Sequence, residues 1–439
     1  MIQLFLLFII LALAAQETQG QDILTTYEQA LERDPLIHQA EANRNAALEN
    51  KPQSIAGLLP TIAVNGILRR NHLDSKTSFI PGQSGVILDY WDNFVNLNLT
   101  QPLYHHELWV QLSRADNQVA QAEAEYEAAQ QNLITRTATA YYNILYAQDS
   151  LEFAHMERQS IEQQWEQAKG RFDVGLIAIT DVDAARAGLD QARASEIKAE
   201  NDLENAREAM RVIVGQFDGN VAGLAAEIPL NTPQPADMEA WNQRAQENNL
   251  AIIAAQNQAE QAKKAIEIQF AGHLPTLDLV GQAGFNDTNR RSGTRSEYET
   301  IGVQVNVPLF QGGLVNSKVR QAREQFMAAQ DNLDAQRRNT INQVKTAYRG
   351  IVTSINQVAA LKSAVASAQS ALDATLGGFE VGTRTMIDVL LQQRNLYQVK
   401  RDYAKTRYDY ITNSLTLKQA TGVLIREDLE AVNRWLVKN

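Results

Sequence analysis

Gly170-Arg171-Phe172-Asp173-Val174-Gly175-Leu176-Ile177-Ala178-Ile179-Thr180-Asp181-Val182 returns near the C-terminus as Gly377-Gly378-Phe379-Glu380-Val381-Gly382-Thr383-Arg384-Thr385-Met386-Ile387-Asp388-Val389. The register is constant, since Gly175 and Gly382, Asp181 and Asp388, and Gly215 and Gly422 all lie 207 residues apart. A gap-free match over that span means two copies of one unit, and the period far exceeds the ~20–50 residues of a solenoid repeat. The chain is therefore read as a duplicated domain half. Each copy is a compact turn between two long helical patterns, so each reads as the tip of a helical hairpin.

The length of 439 residues would admit about three domains at ~150 residues each, but the duplication favours two related halves. A formal net charge of −11 argues against nucleic acid as a partner, which calls for basic stripes that neutralise phosphates. The absence of cysteine removes disulfides, thiolate metal sites and cysteine nucleophiles together. Leu4 to Ala15 is a continuous apolar run, too short to span ~30 Å of hydrocarbon but suited to a signal-peptide h-region, and Ala12-Leu13-Ala14 supplies a cleavage-like pattern. Residues 1–20 are accordingly assigned to a signal peptide, and the chain is expected to be exported without a helical membrane anchor.

Reading outward from the tips, the first repeat is placed at 21–215. Its helical pattern from Ile23 to about Ala56 breaks once at Asp34-Pro35 and stops at Gly57-Leu58-Leu59-Pro60. A strand pair follows within 58–103. Ile62, Val64, Gly66 and Leu68 alternate with Ala63, Asn65, Ile67 and Arg69. After a polar loop at Asn71–Gly85, Val95, Leu97 and Leu99 alternate with Asn96, Asn98 and Thr100 in a second strand of about ten residues. A helical hairpin at 104–214 completes the repeat, its return helix starting near Asp181. The segment 216–237, with Gly219, Gly223, Pro229, Pro233 and Pro235, reads as a linker of little regular structure.

The second repeat, 238–422, opens with helical pieces at Met238–Asn248 and Leu250–Phe270. Its strand pair lies within 274–310, interrupted by a polar loop at Asn286–Glu299, and its helical hairpin spans 312–420. Val315, Val319, Ala322, Phe326, Ala329 and Leu333, then Val344, Tyr348, Ile351, Ile355 and Val358, recur by alternating fours and threes. That heptad seam predicts left-handed helix pairing. The segment 423–439 is assigned as C-terminal, with one short helix at Glu427–Val437.

Four strands with one apolar and one polar face cannot sit in lipid as an open sheet, because each exposed edge amide would cost several kcal/mol. Four are too few to close alone, so several subunits would share one barrel. Periodicity alone also admits a soluble sandwich or flat cap. An exported chain that carries such hairpins beside long helices favours the shared barrel continuing into a helical tube.

The two halves, the Leu-Pro-Thr segments before each strand pair and the tips FDVGLIAITDV and FEVGTRTMIDV resemble the TolC family of outer-membrane efflux proteins. The resemblance covers essentially the whole chain after the signal segment. It implies a mostly α fold with a β-barrel portion: four strands per protomer, a homotrimeric twelve-stranded barrel in the outer membrane, and a periplasmic α-helical barrel. It implies a passive exit duct for a tripartite efflux pump or type I secretion system, partnered by a periplasmic adaptor, an inner-membrane transporter and outer-membrane lipid. The competing reading is a periplasm-spanning structural coiled coil that conducts nothing.

By the same resemblance Val174, Gly175, Leu176, Val381, Gly382 and Thr383 form the adaptor-docking tips. Thr180 and Asp181, which as residue types also cap helix N-termini well, pair with Arg384 as the periplasmic gate, and Asp388 forms the pore constriction. Two departures weaken that gate. Leu391 stands where the family carries a second Asp, and Phe379 where it carries a Tyr whose hydroxyl could donate to Asp181. An easier opening and weaker block by multivalent cations are expected. His105-His106-Glu107 is the cluster that most resembles metal ligands, yet successive residues do not share a helix face, so no metal, cofactor or catalytic residue is assigned. No Gly-rich phosphate loop, nucleophile elbow or zinc motif is present.

Overall fold

The computed structural model describes residues 20–75, 86–217, 219–289 and 294–437. The signal segment and the loop residues 76–85 and 290–293 lie outside the described residues. In chain order the elements are α1 (Ile23–Arg33), α2 (Pro35–Leu48), α3 (Asn50–Ala56), β1 (Thr61–Ser75), β2 (Val86–Tyr104), α4 (His106–Asp173), α5 (Ile179–Val214) and β3 (Gly223–Leu224). After them come α6 (Met238–Asn248), α7 (Leu250–Phe270), β4 (Thr276–Thr288), β5 (Thr294–Asn306), α8 (Leu314–Glu380), α9 (Met386–Ala420), α10 (Arg426–Asn433) and β6 (Leu436–Val437). The chain forms two compact units. One comprises Asn43–Ala124 and Ile253–Ala335, and the other the remaining described residues.

The first of these units holds a four-stranded antiparallel sheet in the order β1-β2-β4-β5. Its register places Ile62, Leu99, Gly281 and Ile301 in one row and Val64, Leu97, Ala283 and Glu299 in the next. The intervening row, Ala63, Asn98, Gln282 and Thr300, lies on the opposite face. Near the helical end of the sheet one face is thus mostly apolar and the other mostly polar. The apolar face is open in the protomer: Ile62 is 67% exposed, Leu68 70% and Ile301 75%.

The strands are longer than their alternation indicates. β1 runs on to Ser75 and β5 starts at Thr294, inside the stretches expected as polar loops, and β2 starts at Val86, well before Val95. The sequence hid this because polar residues interrupt the alternation on both faces there. Asn71 donates to Asp92 at 2.7 Å and His72 meets Asp89 at 2.9 Å, so cross-strand polar pairs replace apolar alternation. Beside the sheet, α4 and α7 are laced by polar contacts. Lys264 Nζ reaches Ser113 O at 2.7 Å and Asn117 Oδ1 at 2.6 Å.

The other unit has two apolar clusters. The larger gathers Ile23, Tyr27, Leu133, Tyr141, Tyr142, Ile351, Ile411 and Leu417. Tyr142 stacks on Tyr408 with ring centroids 5.8 Å apart, and the Tyr408 hydroxyl donates to Asp149 at 2.7 Å. Asp34, 1% exposed, organises the break between α1 and α2. Its Oδ1 accepts from the Leu36 and Ile37 amides, and its Oδ2 accepts from Arg136 at 2.9 Å. A second break at Glu49 separates α2 from α3, where a single interruption was expected. The linker contributes β3, which pairs with β6 through Gly223 and Val437, so the C-terminal segment is a helix followed by a strand rather than one helix. The second cluster lies at the tips. Seam residues are buried as their heptad spacing requires, with Val344 0% and Ile351 2% exposed.

Candidate gate at the paired helical tips

Both tips end their descending helix in the same way. Gly175 has φ of 79° and Gly382 of 77°, the left-handed region where glycine carries no Cβ penalty. In the first tip the Leu176 amide donates to Arg171 O at 2.9 Å and the Gly175 amide to Phe172 O at 2.8 Å. In the second the Thr383 amide donates to Gly378 O at 2.8 Å and the Gly382 amide to Phe379 O at 3.2 Å. These are the paired 6→1 and 5→2 bonds of a Schellman stop, which satisfy the last carbonyls of each helix.

The return helices begin differently. α9 has Thr385 as N-cap with a full capping box: Asp388 Oδ2 accepts from the Thr385 amide and hydroxyl, both at 2.9 Å, and Thr385 Oγ1 accepts from the Asp388 amide. α5 has Ala178 as N-cap and no side-chain cap. Thr180 and Asp181 therefore do not cap. They lie inside the first turn, because the helix starts at Ile179, two residues before the expected Asp181. Asp181 still complements the positive end of the helix dipole. Among the described residues neither side chain has a hydrogen-bond or ion-pair partner. The Thr385-x-x-Asp388 spacing is a capping-box signal that sequence reading passed over.

The backbone and side-chain bonds from Thr385, with the Arg384 charge nearby, hold the Asp388 carboxyl below its ordinary value. Arg384 lies across Gly378, where an added Cβ would come within 2.7 Å of the Arg384 Cγ. Among the described residues Arg384 makes no ion pair to Asp181 within the protomer. The contact that does join the two tips was not legible in sequence. The Arg171 guanidinium stands 5.1 Å from the centroid of the Phe379 ring, and Phe379 is 7% exposed. Val174, Leu176 and Val381 at the apices are 70%, 72% and 74% exposed.

Behind the tips, Met386, Val389, Leu390 and Leu396 pack with Ile161, Leu189 and Leu372. Gln393 is 1% exposed on the same helix, and among the described residues neither of its amide atoms has a hydrogen-bond partner. Glu157, also buried, meets Arg401 at 3.3 Å, and burial pushes its carboxyl above the usual value against the pull of Arg401. His105 bonds to Glu107 at 3.0 Å and Asp278 at 2.9 Å, so it ties the end of β2 to β4. Among the described residues no group of three or more His, Asp or Glu is placed to hold a metal, and no helix is long and apolar enough to cross a membrane.

Known proteins match nearly the whole chain. The sequence profile described as "Outer membrane efflux protein" matches residues 26–216 and 241–423. The chain belongs to that family. It is 37% identical over 422 residues to outer membrane protein TolC of Vibrio cholerae, covering 95% of this chain and 94% of the relative. It is 28% identical over 427 residues to alkaline protease secretion protein AprF of Pseudomonas aeruginosa, covering 96% and 89%. The fold is that of the Campylobacter jejuni CmeC outer membrane channel, with a TM-score of 0.80 at 16% identity over 95% of this chain and 90% of that one. This outer membrane efflux protein is an outer-membrane exit duct, and its relatives are channel proteins.

Proposed function

We propose that three copies pair β5 of one protomer with β1 of the next to close a twelve-stranded barrel. The helices would continue from it as a periplasmic tube that opens at the tips when a periplasmic adaptor and an inner-membrane transporter dock. The observation that carries this reading is the two-faced sheet. Its apolar face is exposed, and its edge strands β1 and β5 each have one unpaired side, an arrangement lipid tolerates only in a closed barrel. The family membership and the secretion role in the AprF name support export as a passive function rather than catalysis.

Within this reading the repeats run 21–215 and 238–422. Val174, Gly175, Leu176, Val381, Gly382 and Thr383 are the docking apices, Thr180, Asp181 and Arg384 the gate, and Asp388 the constriction. Free acceptors on Thr180 and Asp181 and the exposed Arg384 suit contacts to a neighbouring protomer, since the protomer itself leaves them unpaired. The ring of three Asp388 carboxylates would favour cations. The test is planar-bilayer conductance of purified protein together with heat-resistant trimers in detergent. Cation-selective channels are expected. A trimer without conductance would instead establish the structural coiled coil.

A further inference from the structure

We infer that the junction of β2 with β4 inside the protomer is the template for the seam between protomers, and that Glu299 there meets His72 and Arg70 of the next copy. This rests on the barrel reading, in which β5 pairs with β1 of a neighbour. The duplication carries it. An offset of 215 residues lays Leu274-Pro275-Thr276, at the entry to β4, on Leu59-Pro60-Thr61, and an offset of 206 lays Pro308, after β5, on Pro102 of β2. The two hairpins then agree pair by pair: Thr276 faces Asn306 as Thr61 faces Thr100, and Thr288 faces Thr294 as Leu73 faces Leu88. Within the protomer β2 has β4 beside it, with Leu97 opposite Ala283 and Leu99 opposite Gly281. The same offsets turn these pairs into Val303 opposite Leu68 and Val305 opposite Gly66 of a second copy. All four lie on the apolar face, and a slip of one residue would turn every β1 side chain to the other face.

Exposure points the same way. At the end of β2, Tyr104 faces Leu277 of β4 and is 41% exposed, while its equivalent Phe310, beyond the free edge strand, is 88% exposed. The charges complete the match. Glu299 lies on the apolar face of β5, and among the described residues it has no hydrogen-bond or ion-pair partner. A lone carboxylate on a lipid face is unfavourable. The template turns the pair of Asn93 with Asp287 into Glu299 directly opposite His72, with Arg70 one row along. Neighbours on one face of adjacent strands lie about 5–8 Å apart, within reach of long side chains. Arg70 also lacks a hydrogen-bond or ion-pair partner among the described residues. His72 uses Nδ1 on Asp89 at 2.9 Å, which leaves Nε2 for Glu299. Two basic side chains and two carboxylates thus meet at each seam. A shift of two residues the other way would set Glu299 opposite Asp74, like charge against like.

The chain has no cysteine, so introduced pairs report the register directly. The experiment is oxidative cross-linking of the full chain, read as covalent trimer on denaturing gels, with heat-resistant trimer under reduction as the check on assembly. Val303→Cys with Leu68→Cys, and separately Val305→Cys with Gly66→Cys, are expected to give covalent trimer, since directly opposed Cα atoms lie about 4.5–5.5 Å apart. Val303→Cys with Gly66→Cys, one row out of step, should lose that product. Glu299→Arg and Arg70→Glu should each lower the temperature at which trimers dissociate, and the two together should restore it. Assembled trimers that cross-link only through the out-of-step pair, or through none, overturn the template. Failure of the exchanged charges to restore the trimer overturns the pairing of Glu299. Either result leaves the barrel standing, whereas wild-type protein that forms neither heat-resistant trimers nor channels in planar bilayers overturns the barrel reading itself.

Discussion

Gln393→Leu tests whether the tip cluster is what breaks when the duct opens. Gln393 is 1% exposed, and Val389, Leu390 and Leu396 beside it are 0%, 7% and 2% exposed. Among the described residues neither its amide nitrogen nor its amide oxygen is bonded. A buried polar group left without partners costs about 1–3 kcal/mol, and a leucine of similar volume removes that cost while adding apolar contact. The closed tip should therefore gain about 1–3 kcal/mol per protomer. If opening separates this cluster, the same energy lowers open probability by a factor of about 5–150. The assay is twofold: thermal unfolding of the purified protein, and single-channel open time in planar bilayers. A higher melting temperature with fewer openings is expected. A loss of stability would show that the amide is satisfied in the assembly, and greater stability with unchanged gating would show that the cluster stays intact during opening. Gln393→Ala removes the same polar atoms but leaves a void, so its gain should be smaller.

Four further outcomes are expected. Asp34→Ala strips two helix-capping bonds and leaves Arg136 without its ion-pair partner, at a cost of about 3–5 kcal/mol measurable by denaturant unfolding. Gly378→Ala places a methyl group 2.7 Å from the Arg384 Cγ and should swing that side chain away, raising open probability with little change in melting temperature. Multivalent cations should block the wild-type channel weakly, and Leu391→Asp, which doubles the carboxylates of the constriction, should strengthen the block. Acidification should act in two stages. Burial raises the Glu157 and Asp149 carboxyls above the ordinary carboxylate range, so stability grows as pH falls through their folded values, and Glu157→Gln should flatten that rise. Asp34 is lowered: burial pushes it up, but Arg136 and the two amides outweigh that, so its contribution is lost below pH 3.8. Melting temperature across pH 3–7 reads both.

The two helical pieces at Met238–Asn248 and Leu250–Phe270 and the heptad seams were legible because each rests on a period that local geometry enforces. Strand ends were not, since β2 continues into Asp89 and Asp92, whose partners His72 and Asn71 lie far along the chain. Pairing of β3 with β6 was equally hidden, because two residues on each side carry no period. At the tips the glycines announced the helix stops. The Arg171–Phe379 contact could not be foreseen, as it joins residues on different hairpins whose approach depends on packing.

The asymmetry of the tips follows from a few exchanges at constant register. The offset of 207 maps Ala178 onto Thr385, Ile177 onto Arg384 and Arg171 onto Gly378. Each exchange has a structural consequence. Alanine at 178 leaves α5 without a side-chain cap, whereas Thr385 starts α9 with a capping box that uses an Asp388 oxygen. Glycine at 378 makes room for Arg384 to lie across the helix end, while Arg171 at the matching place reaches the Phe379 ring of the other tip. Loss of an N-cap typically costs about 1 kcal/mol, so the start of α5 is the weaker of the two. The residues in that weaker turn, Thr180 and Asp181, are the ones with unused acceptors. On the proposed gate they would take their bonds from a neighbouring Arg384, and assembly would then supply what the sequence of the first repeat leaves out. Opening would need only that turn to give way, while the capped turn of α9 keeps Asp388 charged and fixed.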